Sequence, residues 1–453
     1  MPALTTTARY RFAGGVHPPE YKGLTEDKAI RGAPPVKQVT ILLSQHIGAV
    51  CQAVVNKGDV VEVGQVVGKS EAFVSAPVHS PIMGKVKEVT LASHPILGRC
   101  PAVVIEAHEP AGTAVPADFA EDFDDGRFTG EQICNAVALA GIVGMGGAGF
   151  PTRIKIDPTP PKEILIINGC ECEPFITCDY RLMLEWTNKI VAGARLAKKA
   201  AGCKKVIIAI EDNKPKAIEA FRSNRQVESC GIEMVELKTR YPQGGERQLI
   251  NSVLGKQVAT GGIPPAIGVL VMNVATAAAA AEAVVHGRAL THRVVTVTGE
   301  AIAEPANLYA AIGTSVGELI EFCGGLTQKG AKVVMGGPMT GIAIADLSTP
   351  ITKTTGAITV LTKRQVGHAK HEQQETPCIR CGRCIEACPE NLNATKIAHA
   401  VMHNMMDVAK DYYISACIEC GCCSYVCPAN IELTGYIKTG KVLLAKQNKK
   451  IPD

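Results

Sequence analysis

One cysteine pattern occurs twice near the C-terminus of the chain. The sequence reads CIRCGRCIEACP from Cys378 and CIECGCCSYVCP from Cys417, and each run supplies C-x2-C-x2-C-x3-C-P. Three thiolates spaced in this way can surround one corner of a cubane, and soft thiolate ligands suit iron–sulfur clusters. The pattern therefore predicts a C-terminal domain, residues 364–453, that is built around two [4Fe–4S] clusters.

The spacing also predicts which cysteines share a cluster. In two-cluster ferredoxins the fourth cysteine of each run ligates the other cluster. This assigns Cys378, Cys381, Cys384 and Cys427 to one cluster (the Cys378 set) and Cys388, Cys417, Cys420 and Cys423 to the other (the Cys388 set). The alternative is a pair of structural zinc sites, whose knuckles usually stand farther apart in the chain. Cys422 fits neither set and is interpreted as a bystander, and residues 392–413 are predicted to form a helical insertion between the runs.

Length and composition limit the remaining possibilities. A chain of 453 residues is expected to form several domains. Its net charge of +4 gives no support to nucleic-acid binding. The sequence has no apolar run of membrane-spanning length and no signal-peptide pattern. We therefore expect a cytoplasmic chain that could join a membrane assembly only as a peripheral subunit.

A glycine-rich stretch, GMGGAGF, covers residues 144–150 and contains a literal G-x-G-x-x-G. A dinucleotide-binding turn with this spacing follows a strand and opens a helix. Here Thr129 and Gln132 form a capping-box pattern that predicts a helix before the glycines, and Pro151 follows them directly. The standard Rossmann interpretation therefore fails, and a simple tight turn remains the alternative.

The chain after this loop alternates between strands and helices. Apolar runs predict strands at residues 163–168, 205–210, 233–238 and 268–274, with helices at 181–200 and 214–223 and another from Glu246. This alternation predicts a mostly parallel, doubly wound sheet, in which ligands bind at the carboxyl ends of the strands. Two of those ends carry polar residues, at 168–174 and 273–276.

Four segments in this order, GMGGAGFPTRIK, NGCECEP, YPQGGERQLI and MNVAT, resemble the flavin- and NADH-binding subunit of respiratory complex I. Together with the paired cysteine runs and FAGGVHPPEYK at residues 12–22, they make the chain similar to the C subunit of Rnf complexes, the membrane-bound, ion-translocating ferredoxin:NAD+ oxidoreductases. The resemblance implies an NADH-dependent flavin/iron–sulfur oxidoreductase subunit with FMN, two [4Fe–4S] clusters and NAD(H) as substrate. It also implies partner subunits at the cytoplasmic face of the cell membrane, with ferredoxin reached through one of those partners, and no nucleic-acid partner.

The resemblance assigns roles to individual residues. Those implied for FMN are Gly144, Gly146, Gly147, Ala148, Gly149, Lys155, Asn168, Glu171, Asn273 and Thr276. Those implied for NADH are Phe150, Glu173, Tyr241 and Glu246. No side chain is assigned as catalytic, because the flavin carries the hydride transfer. The chain departs from the complex I pattern at Met145, Cys170 and Gly245 and at residues 260–265. Cys170, Cys172 and Cys178 are interpreted as buried thiols in preference to an additional metal site.

The sequence as a whole predicts a multidomain α/β chain with further modules besides those of the cysteine runs and the glycine loop. Residues 1–36 form an N-terminal arm, and residues 37–108 a barrel-sandwich module of the lipoyl kind. Phe73 lies near the position of a lipoyl lysine, so this module is expected to carry no lipoyl group. Residues 128–290 form the Rossmann-like FMN/NADH domain, and residues 291–363 resemble a soluble-ligand-binding β-grasp module. The ferredoxin-like C-terminal domain is expected to be α-helical.

Two other functions fit part of the pattern. A soluble relative, such as a cobalamin reductase of bacterial microcompartments, also joins the flavin loop to two clusters, but its flavin domain comes first. A ferredoxin-type adaptor that has lost nucleotide binding would hold clusters without flavin. The expected function is a peripheral subunit that passes electrons between NAD(H), FMN and the two clusters.

Overall fold

The computed structural model describes residues 5–110, 112–327, 332–366 and 375–448. The ends of the predicted arm and cluster domain, residues 1–4 and 449–453, lie outside the described residues, as do residues 367–374. The strands of the described residues form four sheets. This multidomain α/β architecture confirms the predicted fold class. The borders between the modules stay predictions.

The N-terminal arm supplies one short strand to each of two sheets that later parts of the chain build. Its strands are β1 (Thr5–Thr7) and β2 (Ile30–Gly32). The first pairs in parallel with residues 234–236, and the second with residues 307–309. The arm therefore connects two modules that are far from it in sequence.

Two antiparallel sheets form the barrel-sandwich module. Their strands are β3 (Gln38–Leu42), β4 (Gln52–Ala53), β5 (Val60–Val61), β6 (Val66–Lys69), β7 (Val78–His79), β8 (Gly84–His94) and β9 (Gly98–Ala107). The strand orders are β3-β9-β8-β5 and β4-β6-β7. Phe73 lies in the loop between β6 and β7 and is 69% exposed. Nearby Lys69 forms an exposed ion pair with Glu71 at 3.0 Å.

A five-stranded parallel sheet with helices on both faces is formed by β1 of the arm and residues 130–286. Its elements are α1 (Gly130–Leu139), α2 (Thr152–Ile156), β10 (Ile164–Gly169), α3 (Cys178–Glu185), α4 (Thr187–Ala201), β11 (Lys205–Glu211), α5 (Pro215–Arg222), α6 (Arg225–Ser229), β12 (Glu233–Leu237), α7 (Glu246–Leu254), β13 (Val269–Asn273) and α8 (Val274–His286). The strand order is β1-β12-β11-β10-β13, and every pair is parallel. Successive side chains of β10 pack into hydrophobic cores on opposite faces of the sheet. Leu165 packs with α4 and α8, and Ile166 packs with α7.

The local predictions for this sheet agree with the structure except at one helix. Thr129 and Gln132 form the predicted capping box at the start of α1. The single helix predicted over 181–200 is wrong, because the chain breaks at Trp186 into α3 and α4. Trp186 has φ −130° and ψ 38°, and its ring lies against Tyr309 at 5.7 Å. The periodicity of apolar residues continues through the break and therefore hides it.

A mixed six-stranded sheet forms the β-grasp region. Its elements are β14 (His292–Thr298), β15 (Ala306–Ala311), α9 (Val316–Phe322), β16 (Lys332–Met335), β17 (Ile342–Ile344) and β18 (Ala357–Leu361), in the strand order β17-β16-β18-β14-β15-β2. Helix α9 begins with a capping box between Ser315 and Glu318. The segment KVVMGGPMTG, residues 332–341, contains β16, a strand with neighbours on both sides.

The C-terminal region is helical. Its helices are α10 (Lys363–Val366), α11 (Arg383–Glu386), α12 (Ala394–Met402), α13 (Met406–Asp411), α14 (Cys422–Tyr425) and α15 (Leu433–Asn448). The helical insertion predicted over 392–413 consists of two helices, α12 and α13, and Asn404 between them adopts a left-handed φ of 55°. Among the helices of the described residues, none is both long and apolar enough to cross a membrane.

Candidate functional site

The polar strand ends lie beside each other at the carboxyl edge of the parallel sheet. Asn168 at the end of β10 is the register partner of Asn273 at the end of β13. The Asn273 side chain caps α8 by accepting from the Ala275 amide at 2.9 Å, and its Nδ2 donates to Asp179 at 2.6 Å. Asn168 Nδ2 donates to the Gly244 carbonyl at 2.9 Å. Both predicted asparagines therefore shape one edge.

The glycine-rich segment folds back on itself above the first turn of α8. Val143 and Pro151 form an antiparallel bridge, and the Gly144 amide donates to the Phe150 carbonyl at 2.9 Å. Inside this turn the Met145 amide donates to Thr276 Oγ1 at 2.9 Å, which fixes the turn against α8.

The tip of the turn is made of three small exposed residues, Gly146, Gly147 and Ala148. Within the described part of the chain, their amides donate to no hydrogen-bond acceptor. Gly147 has φ 104°, and no atom lies within 4 Å of the position that a Cβ would take. Free amides beside the N-terminus of a 13-residue helix match the chemistry of an anion or cofactor phosphate. These residues fit the phosphate of FMN, and their role in FMN binding stays a prediction.

Lys155 and Glu246, which the resemblance assigns to different ligands, meet at this edge. Lys155 Nζ in α2 donates to Glu246 Oε1 at 2.8 Å and to the Val271 carbonyl at 3.2 Å. The two side chains are 29% and 38% exposed, so both reach solvent. An ammonium group at this position can pair with a phosphate as readily as with the carboxylate.

The loop after β10 is held by a residue that no local sequence pattern selects. Lys22 of the N-terminal arm is buried, and its Nζ donates to the carbonyls of Glu171, Glu173 and Ile176 at 2.9, 3.1 and 2.6 Å. Burial lowers the pKa of Lys22. Only the position of Lys22 at the end of the FAGGVHPPEYK segment could have pointed to it.

Glu171 adopts φ 47° in this loop, and its carboxylate is used within the protein. It accepts from the amides of Asp179 and Tyr180 at 2.6 and 3.3 Å, at the start of α3. Burial raises the pKa of Glu171 to about 7. Ligand atoms of Glu171, Cys178 and Asp179 lie within 4.8 Å of one another. Because hydrogen bonds within the protein satisfy both carboxylates, we assign no metal to this group.

Two residues predicted for NADH face other modules. Glu173 accepts from the amides of Met339 and Thr340 at 3.2 and 2.9 Å, and thus holds the β-grasp turn. Tyr241 is 3% exposed, and its hydroxyl donates to the carbonyl of Cys420 at 2.7 Å. Phe150 stands half-buried in the glycine turn. The nucleotide roles of these side chains stay predictions.

The structure brings together all four cysteines of the Cys388 set. Cys388, Cys417, Cys420 and Cys423 line one partly enclosed cavity. Amides of Leu392 and Glu419 donate to the sulfurs of Cys388 and Cys417, both at 3.3 Å. Burial raises the pKa of Cys417 to about 12 and that of Cys423 to about 11, so a cationic centre is needed to hold both as thiolates at neutral pH. This donor set fits a cluster.

The two cysteine runs repeat the same local geometry. Left-handed residues recur at matching offsets, at Arg380 and Glu419, at Gly382 and Gly421, and at Asn391 and Asn430. Cys384 contacts Thr395 Oγ1 at 2.8 Å, and Cys423 contacts Thr434 Oγ1 at 3.4 Å, both across 11 residues. Such a repeat indicates two sites of the same construction.

The two sets differ in their distance from solvent. Cys378 and Cys381 are exposed, Cys427 is half-buried and Cys384 is buried. The Cys388 set contains no exposed member. The neighbours of its cavity include Tyr241 and the N-terminal arm, so this set faces the domain of the parallel sheet and the Cys378 set faces outward.

Comparisons with known proteins match four successive modules of the chain. Family models match the Nuo51 FMN-binding domain at residues 137–282, the RnfC barrel sandwich hybrid domain at 10–110, the SLBB domain at 294–343 and the 4Fe-4S dicluster domain at 374–431. The C subunit of the proton-translocating ferredoxin:NAD(+) oxidoreductase complex of Clostridium ljungdahlii is 42% identical over 89% of this chain and 87% of its own length. The chain belongs to this family of C subunits.

Further members of the family are similar over comparable lengths. The C subunit of the Na(+)-translocating ferredoxin:NAD(+) oxidoreductase complex of Acetobacterium woodii is 39% identical over 87% of this chain and 88% of its own. The C subunit of the ion-translocating oxidoreductase complex of Rhodobacter capsulatus is 38% identical over 84% of this chain and 73% of its own. The chain is thus an oxidoreductase subunit with an FMN-binding domain and a domain for two [4Fe–4S] clusters.

A solved structure, an NAD+-reducing [NiFe]-hydrogenase in the H2-reduced state, is similar at a TM-score of 0.49 and 20% identity, covering 74% of this chain and 64% of its own. An NAD+-reducing [NiFe]-hydrogenase in the air-oxidized state gives a TM-score of 0.48 and 23% identity, covering 63% of this chain and 54% of its own.

Proposed function

We propose that this chain is the peripheral subunit through which a membrane-bound, ion-translocating ferredoxin:NAD+ oxidoreductase exchanges electrons with NAD(H). Relatives with 42% and 39% identity carry that activity in their names. Ferredoxin would exchange electrons with a partner subunit rather than with this chain. Placement at the cytoplasmic face of the membrane follows from the same proposal, since NAD(H) is a cytoplasmic substrate.

One observation carries the proposal. The hydroxyl of Tyr241, in the loop that leads into α7, donates to the carbonyl of Cys420 at 2.7 Å. The flavin domain and one cluster site are therefore in direct contact. The other cluster site, with exposed Cys378 and Cys381, opens to the surface. With clusters bound, this arrangement would provide an inner and an outer station for electrons.

The protein contributes binding and orientation. The amides of residues 146–148, Lys155 and the N-terminus of α8 would hold FMN, with Asn168 and Asn273 beneath it. FMN, when bound, accepts the two electrons of a hydride and releases them singly, which suits the junction between NADH and one-electron clusters. The Cys388 set would hold the inner cluster and the Cys378 set the outer cluster. No described side chain is needed as a proton donor for this exchange.

A second set of contacts keeps the inner station in place. The Gly15 amide donates to the Ala387 carbonyl at 2.9 Å, and Val16 pairs with Tyr241. Gln248 of α7 donates to Glu390 at 2.6 Å. Because these bonds come from the arm and from α7, the cluster domain is fixed to the flavin domain on two sides. Repeated electron transfer would require such a fixed distance between the flavin and the inner cluster.

The test is anaerobic reconstitution of the full chain with iron, sulfide and FMN, followed by addition of NADH. We expect flavin bleaching and EPR signals of reduced clusters after NADH alone. Bound flavin and clusters that dithionite reduces, but NADH does not, would overturn the proposal and leave an electron relay. Clusters without flavin would favour the adaptor alternative. NADH-dependent reduction of a cobalamin at least as fast as reduction of the clusters would favour the soluble reductase.

A further inference from the structure

The chain that leads into the glycine turn is held by a lysine from another module. Lys353, four residues before β18, is 1% exposed. Its Nζ donates to the Gly141 carbonyl at 2.7 Å and to the Pro77 carbonyl at 2.6 Å. Gly141 has φ 64°, and a Cβ there would lie 2.3 Å from the Pro77 oxygen. One side chain of the β-grasp region therefore joins the barrel-sandwich module to the start of the glycine turn.

The far end of the glycine turn is held from the same two modules. The amide of Ile47, in the loop between β3 and β4, donates to the Gly149 carbonyl at 3.0 Å. A Cβ at Gly149 would lie 3.1 Å from Cγ2 of Thr354, the neighbour of Lys353. Both ends of the segment that carries the open amides are therefore fixed by residues from outside the parallel-sheet domain.

The backbone of Lys353 is itself fixed by hydrogen bonds. Its amide donates to Gln45 Oε1 at 3.0 Å, and its carbonyl accepts from Arg293 Nη1 at 2.5 Å. Nη2 of the same arginine donates to the Met145 carbonyl, inside the glycine turn, at 3.4 Å. Gln45 belongs to the barrel-sandwich module and Arg293 to β14. Three modules therefore meet at Lys353.

The burial of Lys353 has an energetic cost. In the described part of the chain its ammonium group has two carbonyl acceptors and no carboxylate partner. Burial lowers the pKa of Lys353 to about 7. An apolar side chain of similar length would fill the same space without this cost. What only the lysine provides is the pair of hydrogen bonds that ties Gly141 to Pro77.

We propose that Lys353 is a positioning residue of the flavin site, through which the barrel-sandwich and β-grasp modules hold the glycine turn in its ligand-binding conformation. The inference rests on the proposed function, because it takes residues 144–149 as part of the FMN site. Amides that are already aligned bind an anion more tightly, since less conformational entropy is lost on binding. The barrel-sandwich module thereby acquires a role in FMN binding.

The experiment measures FMN binding to variants of the full chain by equilibrium dialysis, and the visible circular dichroism of the bound flavin is the second readout. Lys353→Met removes both hydrogen bonds of the side chain and keeps its length. Lys189→Met is the matched control, since Lys189 is also 0% exposed but its Nζ lies 2.7 Å from Glu282. Gln45→Leu keeps Lys353 and removes the acceptor of its amide, so it replaces Lys353→Met if that variant does not fold.

We expect Lys353→Met to raise the FMN dissociation constant about fivefold or more, the equivalent of at least one lost hydrogen bond. Gln45→Leu should weaken FMN binding in the same direction. The circular dichroism of bound FMN should change in Lys353→Met and should match that of the wild type in Lys189→Met.

An FMN dissociation constant in Lys353→Met equal to that of the wild type would overturn the inference alone, as would an equal constant in Gln45→Leu where that variant replaces it. Equal weakening in Lys189→Met would also overturn it, because the loss of any buried lysine would then explain the effect. A wild-type chain that binds no FMN would overturn the proposed function, and this inference with it.

Discussion

Gly147 gives the most discriminating test of the flavin site. It lies at the tip of the glycine turn with φ 104°, and no atom lies within 4 Å of the position that a Cβ would take. A methyl group there meets no protein atom, so packing does not oppose the substitution. The change Gly147→Ala therefore perturbs only the backbone conformation and whatever occupies the open side of the turn.

Gly58 offers a matched control in the barrel-sandwich module. It has φ 99°, and its Cβ position is equally open. An alanine in this region of φ costs about 1–2 kcal/mol. We expect both variants to lose about that much stability, since the backbone strain is the same. Their difference then isolates the ligand.

The expected loss of FMN affinity follows from the free amides of residues 146–148. If Gly147→Ala displaces the cofactor from one amide, the loss is that of a hydrogen bond to a charged group, about 1.5–3 kcal/mol. This corresponds to a dissociation constant that is larger by about 10- to 150-fold. Gly58→Ala should leave the FMN dissociation constant unchanged.

Equilibrium dialysis against FMN measures the dissociation constants, and thermal unfolding of the same samples measures the stability loss. Equal FMN affinity in the wild type and Gly147→Ala would refute the assignment of the turn to the flavin. Equal weakening of FMN binding in Gly147→Ala and Gly58→Ala would refute a direct contact between FMN and the turn, because a general loss of stability would then explain both.

Three further outcomes follow from buried contacts. Burial lowers the pKa of Lys353 to about 7, so between pH 7 and pH 9 the folded chain loses this proton while the unfolded chain keeps it. The free energy of unfolding of the wild type, measured in urea by the fluorescence of Trp186, should therefore rise by about 2 kcal/mol relative to that of Lys353→Met over this range. A difference between the two proteins that does not change with pH would contradict the lowered pKa. Thr276→Val removes the acceptor of the Met145 amide and should cost about 1 kcal/mol of FMN binding, which is about fivefold in the dissociation constant measured by the same dialysis assay. Unchanged binding would show that the glycine turn keeps its conformation without this hydrogen bond. Lys22→Met leaves three carbonyls without a donor and should lower the free energy of unfolding by about 3 kcal/mol or more, and a loss below about 1 kcal/mol would contradict the role given to Lys22.

Local patterns predicted the strands well, and the cluster-ligand assignment of the cysteines stays a prediction. The alternation of apolar residues placed β10 and β13, and parallel pairing then required Asn168 and Asn273 to lie together, as they do. The cysteine spacing grouped Cys388, Cys417, Cys420 and Cys423, and these four residues line one cavity. These predictions depend on periods and spacings of a few residues, which a sequence records directly.

Long-range contacts could not be predicted in this way. Lys22 holds carbonyls about 150 positions away, and the three-residue strands β1 and β2 have too few residues to show a period. Tyr241 and Cys420 are 179 positions apart. The break at Trp186 was missed for a different reason, since apolar residues occur on both sides of it at helical spacing. The partners of these residues are decided by tertiary packing.

The order of the two clusters is the central claim of this account, and one measurement tests it directly. NADH is added to the loaded variants Cys388→Ser and Cys378→Ser, and flavin absorbance and cluster EPR are followed together. We predict that NADH bleaches the flavin in both variants. The outer cluster of Cys388→Ser should stay oxidised until dithionite is added, whereas the inner cluster of Cys378→Ser should be reduced by NADH. Rapid reduction of the outer cluster by NADH in Cys388→Ser would contradict an inner station at the Cys388 set.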